Sequence, residues 1–164
     1  MQLIKNLIIY PLQFFIFLMI YYILKFFSTK TASNLGGMIF KFIGPFTKAN
    51  QTAANNLKKI FDNENKKNIS FILNKSWENL GRTMAEFSHL YEITKKNNKY
   101  IKIKGDQYLK EIALNNEQAI FIAIHHSNWE VLAPTIGNFG IKLNSVYRHI
   151  NNPYVDKFIL DIRK

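Results

Sequence analysis

The sequence predicts an α/β chain: an N-terminal membrane-anchor helix, a helical segment, and then a β-α-β-α-β-α partial sheet. Three observations predict it. Residues 6–24, NLIIYPLQFFIFLMIYYIL, carry no charge. From Thr47 to Tyr91 apolar side chains recur at helical spacing. Beyond Lys95 the period changes to alternation and short apolar runs, the pattern of strands.

The elements follow in order. As a helix, 6–24 would span roughly 28 Å, close to the hydrocarbon thickness of a bilayer. Tyr21 and Tyr22 suit its water interface, and no cleavage site of small residues follows. Lys25, Lys30, Lys41 and Lys48 follow the run and only Lys5 precedes it, which places the remainder in the cytoplasm. LGGMIFKFIGPF, 35–46, is apolar but broken by glycines and Pro45, and reads as an interfacial or re-entrant piece. A helix is expected from Thr47 to Phe61, then a polar connector at 62–68. In the next helix Trp77, Leu80, Met84, Phe87 and Tyr91 form one apolar stripe. Glu78, Arg82 and Glu86 form a second face at i,i+4 intervals, which reads first as a solvated ion-pair row.

Strands are expected at 100–105, 119–124 and 143–147, with helices at 107–114, 129–136 and 154–163 between and after them. That order implies a parallel sheet with right-handed crossovers. The domain boundaries expected are 1–28 for the anchor, 29–98 for a helical membrane-proximal region and 99–164 for the α/β part.

Composition narrows the function classes. The 164 residues contain no cysteine, which excludes disulfides and thiolate chemistry. The net charge of +11 favours anionic partners: nucleic acid, anionic lipid, or a phosphorylated substrate or carrier. Lysine carries most of that charge, the arginines being Arg82, Arg148 and Arg163.

AIFIAIHHSNWE, 119–130, holds the chemistry-bearing groups. In open α/β sheets reactive groups gather where loops leave the carboxyl ends of strands. His125 follows the apolar run 119–124, and Glu130 follows it by five residues, where a carboxylate can fix the imidazole tautomer. Arg148 follows the run 143–147 and supplies a cation for a phosphate or oxyanion. The competing reading makes His125 a helix-entry hydrogen bonder and His126 a surface residue. A zinc helix needs histidines four apart with a third ligand, and a serine hydrolase needs its G-x-S-x-G elbow. Neither pattern is present, so no metal is expected.

The residues resemble the late (lauroyl/myristoyl) acyltransferases of lipid A biosynthesis, a lysophospholipid-acyltransferase-like family. NLGRTMAEF (79–87), IKIKGDQYL (101–109), HHSNWE (125–130) and VYRHINNPYVDKFI (146–159) resemble its motifs in order, the third being its His-x4-Glu block. The resemblance implies a partial sheet of the glycerolipid-acyltransferase type. It implies transfer of a fatty acyl chain from acyl carrier protein to a hydroxyl of a lipid A precursor, at the cytoplasmic face of the bacterial inner membrane. It makes His125 the general base and Glu130 its partner, with Arg148 on substrate phosphate or oxyanion. Arg82 and Asn128 become candidate substrate-binding residues, each also open to a structural role. No cofactor is implied beyond the carrier thioester. The family usually has a hydrophobic residue and then glycine after that histidine, where this chain has His126 and Ser127. The resemblance spans the family's N-terminal half, so a truncated or split copy is expected.

Two other readings stay open on the sequence. One is a non-catalytic membrane protein binding anionic lipid or a partner through its basic surface. The other is a different glycolipid or phospholipid acyltransferase, although the phospholipid type more often ends the motif in Asp. A nucleic-acid binder is disfavoured by the anchor and by the lack of a binding motif.

Overall fold

The computed structural model describes residues 2–61, 66–96 and 98–163. Among them every regular element is helical: α1 (Gln2–Ile4), α2 (Tyr10–Phe26), α3 (Thr29–Ile43), α4 (Lys48–Ile60), α5 (Lys66–Glu86), α6 (Leu90–Thr94), α7 (Asp106–Asn115), α8 (Leu132–Gly137) and α9 (Pro153–Arg163). The chain divides into two compact units. One comprises Phe27–His89 and Ile124–Trp129, the other Met1–Phe26, Leu90–Ala123 and Glu130–Lys164.

The first of these units is built on the crossing of α3 and α5. Small residues make it possible. Ala32, Ser33, Gly36 and Gly37 form the inner face of α3, and Gly81 and the buried Ala85 meet it from α5. A methyl group on Gly36 would overlap the Gly81 carbonyl and the Ala85 side chain. Ser28 caps α3, accepting from the Thr31 N–H at 3.2 Å, and Thr47 caps α4, accepting from Asn50 at 3.3 Å. Trp77 lies against the Cα of Gly44 and donates its indole N–H to Asn50 at 2.8 Å, which ties α4 to α5. The helix expected to carry the stripe through Tyr91 ends at Glu86, and the stripe is only partly inward: Met84 on α5 is 45% and Tyr91 on α6 78% exposed. Close backbone approach selects the small face instead. Of the expected connector, 62–65 lie outside the described residues, and 66–68 already belong to α5.

In the other unit Lys5–Phe26 forms a helix of 22 residues, long and apolar enough to cross a membrane, with a mean hydropathy of 2.2 in its apolar window. One flank of it packs on α9, where Phe14, Phe17 and Tyr21 surround the Phe158 ring at 6.1, 5.6 and 5.1 Å. Asn152 starts α9. Its side-chain oxygen accepts from the Tyr154 N–H at 3.1 Å, while its amide donates to the Tyr10 carbonyl at 2.8 Å. Pro153 then occupies a first-turn position that needs no N–H.

The sheet predicted from the sequence does not form. The segments 100–105, 119–124 and 143–147 contain no strand, and no β-α-β-α-β-α order exists among the described residues. The side chains show why. Ile120, Ile122 and Ile124, which would share one face of a strand, are 92, 93 and 77% exposed, so the run read as a strand covered on both faces is bare along that face. A strand is stable only when a neighbour pairs its backbone groups. Side-chain periodicity records suitability for that pairing, not its presence.

Candidate functional site

The HHSNWE turn carries the first of the candidate residues. The His126 N–H donates to the Ile124 carbonyl at 2.8 Å, closing a tight turn centred on His125. The imidazole is exposed, and its ring lies 5.2 Å from that of Trp129. Ser127 then takes φ +53°, the left-handed region. That is the position where the resemblance expects glycine, the residue that enters this region without strain. Its carbonyl accepts from Thr83 Oγ1 at 3.2 Å and Asn79 Nδ2 at 3.4 Å. Asn128 donates its amide to Glu86 Oε2 at 2.6 Å. Asn79, Thr83 and Glu86, on successive turns of α5, thus hold the two residues that follow the histidines.

Arg82 belongs to the same network. The other Glu86 oxygen accepts from Ser33 Oγ at 2.6 Å. Arg82 donates to Asn34 Oδ1 at 2.6 Å and to Ser33 Oγ at 3.4 Å, and it pairs with Glu78 at 2.9 Å. Hydrogen bonds from Arg82 and then Lys75 hold the Glu78 carboxyl down at about 2. So Arg82 and Asn128 are linked through Ser33 and Glu86.

Glu130 and Arg148 lie in the other unit. The Glu130 carboxylate accepts a fork from Arg163, with Nε at 3.0 Å and Nη2 at 2.6 Å. The same guanidinium stacks over the Tyr147 ring at 5.3 Å. Tyr147 donates its hydroxyl to Asp156, His149 Nδ1 donates to it at 2.8 Å, and the Ile150 N–H donates at 2.7 Å. The Tyr147 hydroxyl, then the Ile150 N–H and His149, hold the Asp156 carboxyl at about 2. Asp156 therefore folds 147–150 onto the start of α9, with Arg148 exposed between its two ligands. The described residues contain no group of three or more His, Cys, Asp or Glu able to hold a metal ion.

Three participants escaped the sequence reading. Ser33 has no local signature. Arg163 reaches Glu130 only through folding, across 33 residues. Asp156 was visible as part of the Asn-Pro…Asp segment, but its role as collector of three donors was not.

One unit offers an exposed imidazole on a clamped turn, and the other a carboxylate oriented by a guanidinium fork. No curated protein and no solved structure matches the chain. A family model described as bacterial lipid A biosynthesis acyltransferase matches residues 4–164.

Proposed function

Because the chain belongs to the bacterial lipid A biosynthesis acyltransferase family, we propose that it moves a fatty acyl chain from an acyl carrier protein thioester to a hydroxyl of a lipid A precursor. His125 is the general base. It takes the proton as the acceptor oxygen attacks the thioester carbonyl carbon, and returns it to the thiolate when the C–S bond breaks. Glu130 orients the imidazole. Arg148 faces the anionic oxygen or a substrate phosphate. Arg82 and Asn128 serve the site by holding its turn, or by direct contact with the acceptor. A positioned base of this kind contributes on the order of 10²–10⁴ in rate.

The membrane helix Lys5–Phe26 anchors the enzyme in the inner membrane, where its acceptor resides, with the lysine-rich side cytoplasmic. The positive charge favours anionic lipid and the acidic carrier protein. The observation that carries the reading is the His125 turn itself: exposed, closed by its own backbone bond, and clamped by Thr83 and Glu86.

The test uses the full chain in lipid nanodiscs with labelled acyl carrier protein and a lipid A precursor. Transfer is expected, falling at least a hundredfold in His125→Ala and surviving in His126→Ala. No transfer by the unaltered chain, or transfer unchanged in His125→Ala, overturns the assignment.

A further inference from the structure

Helix α3 has a second apolar face that the fold does not use. Its inner face, of small residues, is spent on α5. Met38, Ile39, Phe42 and Phe46 recur at i, i+1, i+4 and i+8 on the outside, the last in the turn Gly44–Phe46. They are 65, 51, 73 and 83% exposed. The Phe42 and Phe46 rings touch, at 6.1 Å between centroids. Large side chains thus point outward and small ones inward, the reverse of a helix whose only task is to fill a core.

The surrounding charge has one sign. From Phe27 to Phe61 there are five lysines, Lys30, Lys41, Lys48, Lys58 and Lys59, and no acidic residue. Lys41 leans toward Glu78 on α5, 3.8 Å away, and is still half-exposed. Lys30 and Lys48 are exposed. Only Phe27 and Ser28 separate α3 from the end of the helix long enough to cross a membrane.

We propose that this outer face of α3 is a bilayer-contact surface of its own. Met38, Ile39, Phe42 and Phe46 enter the headgroup–acyl boundary of an anionic phospholipid leaflet, and Lys30, Lys41 and Lys48 meet its phosphates. Large apolar residues beside a lysine rim are the features of a helix lying in the membrane interface. Contiguity in sequence with a membrane-crossing helix and the absence of acidic residues select a lipid surface as the occupant over a second copy of this chain. Like copies would bring lysine against lysine. The inference does not depend on the assignment of His125.

Vesicle binding as such is not a useful readout, since Lys5–Phe26 already supplies it. Depth is. The chain has no cysteine, so a single cysteine at position 42 or 46 carries one environment-sensitive fluorophore. Phe42→Cys and Phe46→Cys alter exposed side chains, and their helical circular dichroism verifies folding. In full chain reconstituted in phosphatidylcholine with added phosphatidylglycerol, both labels are expected to shift to the blue. They should resist iodide and be quenched by lipid spin-labelled near the headgroup. A label at Ser76→Cys, exposed on α5, should do none of these. Replacing Lys30, Lys41 and Lys48 by Gln should weaken the dependence on phosphatidylglycerol. Iodide access at 42 and 46 equal to that at 76 overturns the proposal. So does a blue shift without lipid quenching but with cross-linking between copies at 46, which would identify a second copy as the occupant.

Discussion

Gly36 and Gly81 meet backbone to backbone where α3 crosses α5, so close that a Cβ on either would overlap the other's carbonyl. The atoms in the way are main chain, which cannot swing aside as a side-chain tip would. Gly36→Ala is therefore expected to force the helices apart and destabilise the unit by about 1–3 kcal/mol. Loss of helical circular dichroism against urea measures it. Gly137→Ala is the control. Nothing lies within 4 Å of its added methyl, and it should be neutral or slightly stabilising.

Ser127 holds φ +53° in the turn that carries His125. An L-residue there bears a strain of about 1 kcal/mol that glycine does not. Glycine loses about 0.5–1 kcal/mol more backbone entropy on folding, which offsets most of that gain. Ser127→Gly is thus expected to be neutral to mildly stabilising and to keep acyl transfer. Ser127→Val, β-branched in a left-handed conformation, should destabilise and reduce transfer. Paired melting curves and transfer rates check both.

Glu86 accepts from both Ser33 Oγ and Asn128 Nδ2. Glu86→Ala removes both bonds and is expected to cost about 1–3 kcal/mol. Asn128→Ala should cost less, because Ser33 keeps its partner. A double-mutant cycle should give a coupling of at least about 0.5 kcal/mol, and strict additivity would contradict the bond. Hydrogen exchange at Asn128 and Trp129 should accelerate in both single variants, reporting a loosened turn rather than global unfolding.

The Asp156 carboxyl titrates at about 2 in the fold and at its ordinary 3.8 when free. A depressed carboxylate stabilises the fold fully above the unfolded value, and that stability disappears as pH falls from 3.8 through about 2. Stability measured against urea should therefore drop across this window. In Asp156→Asn the drop should shrink, with lower stability already at neutral pH. Glu78, held at about 2 against an ordinary 4.5, adds a similar decline of its own that Glu78→Gln removes.

Much of this was legible in the sequence, for reasons that separate cleanly. Helices signal themselves locally: the helix expected at 154–163 corresponds to α9, and the uncharged run at 6–24 to the helix long and apolar enough to cross a membrane. The family motifs were legible because they are short and ordered. The sheet was not, because pairing is a property of two segments and alternation a property of one. Ile120, Ile122 and Ile124 satisfy the pattern and meet no partner. The inward face of α5 was misjudged for a related reason. Size ranked Met84 as core, whereas the approach of α3 rewards the smallest side chains, Gly81 and Ala85. Contacts such as Ser33–Glu86, separated by 53 residues, exist only after that approach.

Arg163 fixes the plane of the Glu130 carboxylate through two parallel bonds, at 3.0 and 2.6 Å, and stacks on Tyr147 in doing so. Lysine keeps the charge but offers neither fork nor plane. If Glu130 orients the base, Arg163→Lys acts at one remove as loss of a positioning residue. Turnover is expected to fall roughly ten- to a hundredfold, since small misplacements at a reacting centre are that costly. The KM for both substrates should change little. The pH profile of kcat discriminates this from simple destabilisation. Lysine leaves the positive charge beside Glu130, so the acid limb should stay in place in Arg163→Lys. It should move to lower pH in Glu130→Gln, where no carboxylate charge favours the protonated ring. Limbs that coincide in all three proteins would sever Glu130 from the base.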